Sequence, residues 1–182
     1  MLNLNKINEF LFFLINANAK SPIWKIRLAI YLAKYLIGIV PLICIILWGW
    51  GDNIQRKLVL KSLLAIIIAL FFSFMIRYFF PHDRPFVMGK GHTFLKHCKS
   101  SSHPSNHASI IFTLAFAFLF WHRLWSAIIL FIIGLIISWS RIYLSLHWPI
   151  DIIDSVLIAL SGCLLSEMIW NLSISSIWKK FI

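Results

Sequence analysis

The sequence predicts an all-α, multi-span helical membrane protein, with about five transmembrane helices and an N-terminal interfacial helix. Three observations predict it. First, 60% of the 182 residues are hydrophobic and 13% are charged, with a mean hydropathy of +0.86, far outside soluble globular usage. Second, apolar runs near the ~20 residues that a helix needs to cross a bilayer recur along the chain. Third, the polar chemistry is concentrated. Residues 77–107 hold five of the seven histidines and five of the seventeen cationic side chains, against one acid, Asp83. With no internal repeat and no low-complexity linker, residues 1–182 read as one domain.

In chain order, residues 1–20 contain the run N-E-F-L-F-F-L-I-N-A-N-A, shorter than the ~18 residues of a minimal span. Glu9 breaks its start and a polar turn at 18–22 leads straight into the next apolar segment, so a helix lying in the interface is expected rather than a signal peptide. A first span is expected over 28–50, with Lys34 near one end and Pro41 as a kink. Gly51, Asp52 and Asn53 punctuate it. A second span over 58–80 follows Arg56 and Lys57, carries Lys61 in its first turn, and is stopped by Pro81, leaving Arg77 in its last turn. A long polar loop covers 81–103. Further spans are expected over 105–122, 124–146 and 149–172, and Trp178, Lys179 and Lys180 read as an interface anchor.

Five spans put the 81–107 loop and the turn at 147–151 on one face, with the N-terminus. Two clusters distant in sequence are thus expected to meet. Lysines and arginines occur on both sides, so the positive-inside rule is not decisive. If the loop lysines Lys90, Lys96 and Lys99 serve an anionic ligand, the polar face is expected outside the cytoplasm. The formal charge of +11 comes with no nucleic-acid module, and anionic or phosphorylated lipid fits it better. Cys44, Cys98 and Cys163 lack metal-ligand spacing.

Three elements carry chemistry. Arg77, Arg84 and Arg141 fall near helix ends on the same expected face. A charge at membrane depth costs about 2.5 kcal/mol or more, and three guanidinium forks call for an anion, phosphate above all; taken singly, each arginine also fits a headgroup anchor. Next, P-S-N-H at 104–107 opens a membrane helix, with Ser105 as N-cap and free backbone N–H groups around Asn106 and His107 at a positive dipole end. Third, in S-R-I-Y-L-S-L-H-W-P-I-D, Pro149 starts a helix and Asp151 sits in its first turn, one turn from His147. A carboxylate there can fix one imidazole nitrogen and leave the other as nucleophile. Asp154 lies deeper in the same span and is a supporting candidate, and Glu167 reads as a helix-packing residue.

Together, Arg77-x6-Arg84-Pro85, Pro104-Ser105-Asn106-His107 and Ser140-Arg141-x5-His147-x3-Asp151 resemble the three-part signature of the type-2 phosphatidic acid phosphatase superfamily. The small size, the R-P-F triplet and the G-H-T-F-L loop resemble, more narrowly, the bacterial undecaprenyl-diphosphate phosphatases of the bacitracin-resistance type. The resemblance implies a metal- and cofactor-independent phosphohydrolase. His147 would be the nucleophile, Asp151 its orienting partner and His107 the acid and base at the leaving group. Arg77, Arg84, Ser105, Asn106 and Arg141 would hold the phosphate. It also implies a lipid-phosphate substrate and a bacterial plasma-membrane location. Arg77 stands where the family usually has Lys, and Asn106 where Gly is common. The loop histidines His82, His92, His97 and His103 are too irregularly spaced for zinc and are expected at headgroup or water. Phosphatidylglycerol phosphate, phosphatidate and lipid A stay open as substrates, as does phosphoryl transfer to another lipid; a small transporter is a more distant alternative.

Overall fold

The computed structural model describes residues 4–95, 98 and 100–174, and among these it is wholly helical. The helices are α1 (Leu4–Ile15), α2 (Ile23–Tyr35), α3 (Ile39–Gly49), α4 (Asn53–Phe79), α5 (Asn106–Phe120), α6 (Leu124–Tyr143) and α7 (Pro149–Ile169), the last running into a π-helical turn, Trp170–Ile174. Trp178, Lys179 and Lys180 lie outside the described residues, as do Lys96, His97 and Lys99.

Four segments are long and apolar enough to cross a membrane: Ile23–Gly49, Asn53–Phe79, Leu124–Tyr143 and Pro149–Leu172. The segment expected as a span over 105–122 forms α5, which has 15 residues and so extends about 22 Å, short of the ~30 Å hydrocarbon core. It is the central helix, packed on α4, α6 and α7, with Ile111, Phe112, Leu114 and Ala115 buried. Protein rather than lipid surrounds it, so its length is not held to the bilayer's.

Local chemistry explains the element boundaries. Pro41 has no N–H to give, and its ring crowds the carbonyl four residues back. That residue is Ile37, in the middle of the 3-10 turn Leu36–Gly38 that separates α2 from α3. Helix α4 starts with a capping box: Gln55 N–H donates to Asp52 Oδ1 at 2.7 Å and Asp52 N–H to Gln55 Oε1 at 3.0 Å. It stops at Phe80, whose non-helical φ of −132° and ψ of 64° precede Pro81.

The bundle sets small hydroxyl side chains among its buried apolar residues and turns large apolar side chains outward. Ile67, Phe71, Phe74, Leu135 and Leu157 are exposed, whereas Ser62, Ser73, Ser109, Thr113, Ser138, Ser155 and Ser166 are buried. Several hydroxyls are satisfied one turn back along their own helix, as Ser62 is by Leu58 O and Thr113 by Ser109 O, each at 2.7 Å. With lipid as the outer solvent this distribution needs no further cover. At the end away from the polar loop, Lys61 and Glu167 form an ion pair at 2.7 Å, with the ammonium over the Trp121 and Trp170 rings.

Helix α1 lies across the other end. Phe12 is fully buried, its ring 4.9 Å from that of Trp148. Glu9 pairs with Lys90, Asn8 Oδ1 accepts from Ile150 N–H at 3.0 Å, and Ala17 N–H donates to Tyr143 O at 2.9 Å. The expected interfacial helix is thus docked on the turn between α6 and α7.

Candidate active site

The site is assembled where α4 and α6 end, α5 and α7 begin, and the 80–105 loop folds over them. The turn from α6 into α7 is held tightly. Ser145 takes a φ of 60°, Leu146 N–H donates to Arg141 O at 2.9 Å, and the Asn16 amide donates to Ser145 Oγ at 2.7 Å and Tyr143 O at 3.0 Å. Pro149 then opens α7 as its first residue, where its missing N–H costs nothing. Asp151 Oδ2 accepts from Trp148 N–H at 2.9 Å, which aims the carboxylate back at the turn.

His147 follows from that arrangement. It is 1% exposed, with Nδ1 3.4 Å from Asp151 Oδ2 and Nε2 3.4 Å from Arg84 Nη1. Burial pushes its pKa down to about 3, against the opposing pull of Asp151. The imidazole is therefore neutral at physiological pH, with one nitrogen toward a carboxylate and the other toward a guanidinium.

The three arginines converge, each by a different route. Arg84, on the loop, is anchored by Ser100 O at 2.9 Å, Leu146 O at 2.8 Å and Ser101 O at 3.3 Å. Burial and the neighbouring Arg77 charge lower its pKa to about 10, so it stays cationic. Arg77, at the end of α4, donates through Nη2 to Pro104 O and Asn106 Oδ1, both at 2.6 Å. Asn106 thus orients the arginine that replaces the usual lysine. Arg141, in the last turn of α6, is buried and lies 3.4 Å from Ala33 O.

Ser105 occupies the N-cap position expected of it, with extended backbone, but makes no side-chain cap bond. Its Oγ is buried without a hydrogen-bond partner. Its N–H donates instead to Ser155 Oγ at 2.9 Å, and that hydroxyl donates to Asp151 O at 2.5 Å, tying the start of α5 to the first turn of α7. His107 is half-buried in the first turn of α5.

All eight site residues expected from the sequence thus belong to one end of the bundle. One further residue joins them. His103, expected at headgroup or water, has Nδ1 3.3 Å from Asp151 Oδ1 and 3.5 Å from Asp154 Oδ2. The contact with Asp151 raises its pKa above the ordinary value. Its one signal in the sequence was the placement of Asp154 three residues after Asp151, on the same helical face. His82 Nδ1 is 3.9 Å from the same Asp151 oxygen. A cavity of about 390 Å³ opens beside these groups, lined by Phe80, Pro81, His82, His103, Ile150 and Asp154. Among the described residues, no three His, Cys, Asp or Glu side chains are grouped as metal ligands.

This end of the bundle supplies a neutral buried imidazole oriented by a carboxylate, with three guanidinium groups and a partnerless buried hydroxyl around it. Such a set can bind and attack a phosphoryl group. Residues 58–174, which include all eight expected site residues, most of α4 and the whole of α5, α6 and α7, match the sequence profile of the PAP2 superfamily. The chain belongs to the PAP2 superfamily. It is a phosphatase of that superfamily and an integral membrane protein. YbjG of Escherichia coli (strain K12), which carries undecaprenyl-diphosphatase in its name, is 48% identical over 168 residues, covering 92% of this chain and 85% of YbjG. Undecaprenyl-diphosphatase BcrC of Bacillus subtilis (strain 168) is 30% identical over 133 residues, covering 72% of this chain and 67% of BcrC. Among solved structures, Aquifex aeolicus LpxE superposes with a TM-score of 0.73 at 24% identity, over 92% of this chain and 96% of LpxE. The transmembrane PAP2-type phosphatidylglycerolphosphate phosphatase of Bacillus subtilis superposes with a TM-score of 0.68 at 18% identity, over 94% of this chain and 88% of that one. These two likenesses concern the fold.

Proposed function

We propose that this PAP2 phosphatase removes the terminal phosphate of undecaprenyl diphosphate, leaving undecaprenyl phosphate, through a phosphohistidine on His147. The observation that carries the mechanism is His147 itself, neutral and buried between Asp151 and Arg84. The substrate rests on the similarity to YbjG and BcrC over most of the chain.

His147 Nε2 attacks the terminal phosphorus while the bond from phosphorus to the bridging oxygen breaks. Asp151 stabilises the positive charge that grows on the imidazole. Arg77, Arg84, Arg141, Ser105 and the Asn106 backbone N–H hold the equatorial oxygens, where most of the help in phosphoryl transfer lies. His107 gives its proton to the departing lipid phosphate, then takes one from the water that cleaves the phosphohistidine, so inorganic phosphate leaves and the resting site returns. No metal ion or cofactor enters these steps. Residues 1–182 act as one domain, in a bacterial plasma membrane with the site on the extracytoplasmic side, where the product would return to lipid-carrier recycling.

The test is phosphate release by the purified, detergent-solubilised protein, with undecaprenyl diphosphate set against phosphatidylglycerol phosphate, phosphatidate and lipid A. Undecaprenyl diphosphate is expected to give the highest kcat/KM, and His147→Ala is expected to abolish turnover on every substrate. Normal phosphate release by that variant would overturn the mechanism, and a clear preference for another lipid phosphate would overturn the substrate.

A further inference from the structure

Asp151 faces two imidazoles, one on each carboxylate oxygen. His147 Nδ1 lies 3.4 Å from Oδ2, and His103 Nδ1 lies 3.3 Å from Oδ1. Their surroundings differ. The His147 side chain is 2% exposed, whereas that of His103 is 20% exposed and borders the cavity of about 390 Å³. Asp154 Oδ2, 3.5 Å from His103 Nδ1, adds a second carboxylate to the same nitrogen. The other ionisable groups around His103 are Arg77 from α4, His82 from its own loop and, beyond Asp151, His147 with Arg84; His107 stands four residues on, in α5.

With two carboxylates beside it, Nδ1 carries the hydrogen in the neutral ring, and a second proton is taken on Nε2. We propose that His103 is a positioning residue for the reaction, a second imidazole on Asp151 whose protonation draws the carboxylate's charge away from His147 and so sets the acid limb of turnover. The inference rests on His147 as nucleophile. In the neutral form, His103 stands beside Asp151 as an uncharged dipole, with Nδ1 3.3 Å from Oδ1, and leaves Asp151 its full charge to stabilise the imidazole as it is phosphorylated. As an imidazolium it forms an ion pair with Asp151, and that stabilisation is weakened. His147 cannot set this limb by its own titration, because burial holds its pKa at about 3. His103 is placed to do so, since its contact with Asp151 raises its pKa. The sign follows: as pH falls through the raised value, His103 gains its proton and kcat declines.

The experiment measures kcat and KM of the full chain in detergent from about pH 5 to about pH 9, on whichever lipid phosphate it turns over best. In His103→Gln the side-chain amide can still donate to the carboxylates but cannot take a proton. The ratio of kcat at about pH 5.5 to kcat at about pH 7.5 is expected to rise by about fivefold or more, with the change in kcat rather than KM. Asp154→Asn removes one of the two carboxylates that favour the imidazolium. It is expected to move the acid limb the same way but less far, and to move it no further in the His103→Gln background. The ionisation of the substrate phosphate is common to all variants and cancels. An acid limb in His103→Gln coincident with that of the unsubstituted protein would overturn the proposal. So would an Asp154→Asn shift of equal size with and without His103. Turnover by His147→Ala would instead overturn the phosphohistidine reading, so the two failures are distinguishable.

Discussion

At the scale of single residues, Ser105 separates a structural role from a phosphate-holding one. An N-cap serine ordinarily secures its helix through its side chain, and its loss costs about 1 kcal/mol. Ser105 Oγ makes no such bond and is buried without a partner. Removing an unsatisfied buried hydroxyl is neutral or favourable to stability. A hydrogen bond from it to a charged phosphoryl oxygen would contribute about 1.5–3 kcal/mol, so Ser105→Ala is expected to lose roughly tenfold to 150-fold in kcat/KM. Its thermal midpoint in detergent should be unchanged or slightly higher. A lower midpoint with undiminished kcat/KM would return Ser105 to the role of a helix cap. The sequence carried this residue's position but not its behaviour. A Pro-Ser pair before an apolar run reads as a cap, and only the three-dimensional surroundings reveal where the hydroxyl finds no partner.

At the scale of elements, boundaries marked by backbone chemistry were legible. Pro81 ends α4, Pro149 opens α7, and Asp52 with Gln55 starts α4. Boundaries that depend on packing were not. The apolar run over 105–122 gives no hint that its helix stops at Phe120 or that protein surrounds it. Similarly, the composition of α1 shows an amphipathic helix but not its contacts. Those contacts make α1 part of the site's scaffold. Asn16 reaches Ser145 Oγ, Tyr143 O and Ile142 O, fixing the turn that carries His147. Asn16→Ala leaves those carbonyls to the surrounding groups, and losing a buried hydrogen-bond partner costs about 1–3 kcal/mol. The variant is expected to melt several degrees lower and to lose kcat/KM, because the turn carries His147, follows directly on Arg141 and anchors Arg84 through Leu146 O. Steady-state kinetics beside a thermal melt checks this. A variant with full kcat/KM would make α1 a membrane anchor and nothing more.

For the whole molecule, the alternation of spans predicted that the 81–107 loop and the 147–151 turn meet at one end, and Arg84 on Leu146 O with His103 on Asp151 makes that meeting concrete. What the alternation could not give is the spacing between helices, which small residues set. In a bilayer, helices associate through close packing rather than by expelling water. Helix α7 approaches α4 at Gly162, where an added Cβ would stand 2.8 Å from Ala65 O and 3.1 Å from Ala69 Cβ. Those neighbours are backbone and a short side chain, so neither can swing aside. Helix α4 carries Arg77 and α7 carries Asp151, so forcing this seam apart also moves phosphate-holding and nucleophile-orienting groups relative to each other. Gly162→Ala is therefore expected to cost about 1–3 kcal/mol and to lower kcat/KM, despite lying more than two helical turns from Asp151. Gly49 provides the comparison. A Cβ there meets nothing within 4 Å, so Gly49→Ala, at the end of α3, removes glycine's backbone entropy without a clash and should leave stability equal or slightly higher. Measured together by thermal unfolding and phosphate release in the same detergent, the two substitutions add the same methyl group to different surroundings. Equal effects from both would mean that the α4–α7 seam does not hold the two halves of the site in register.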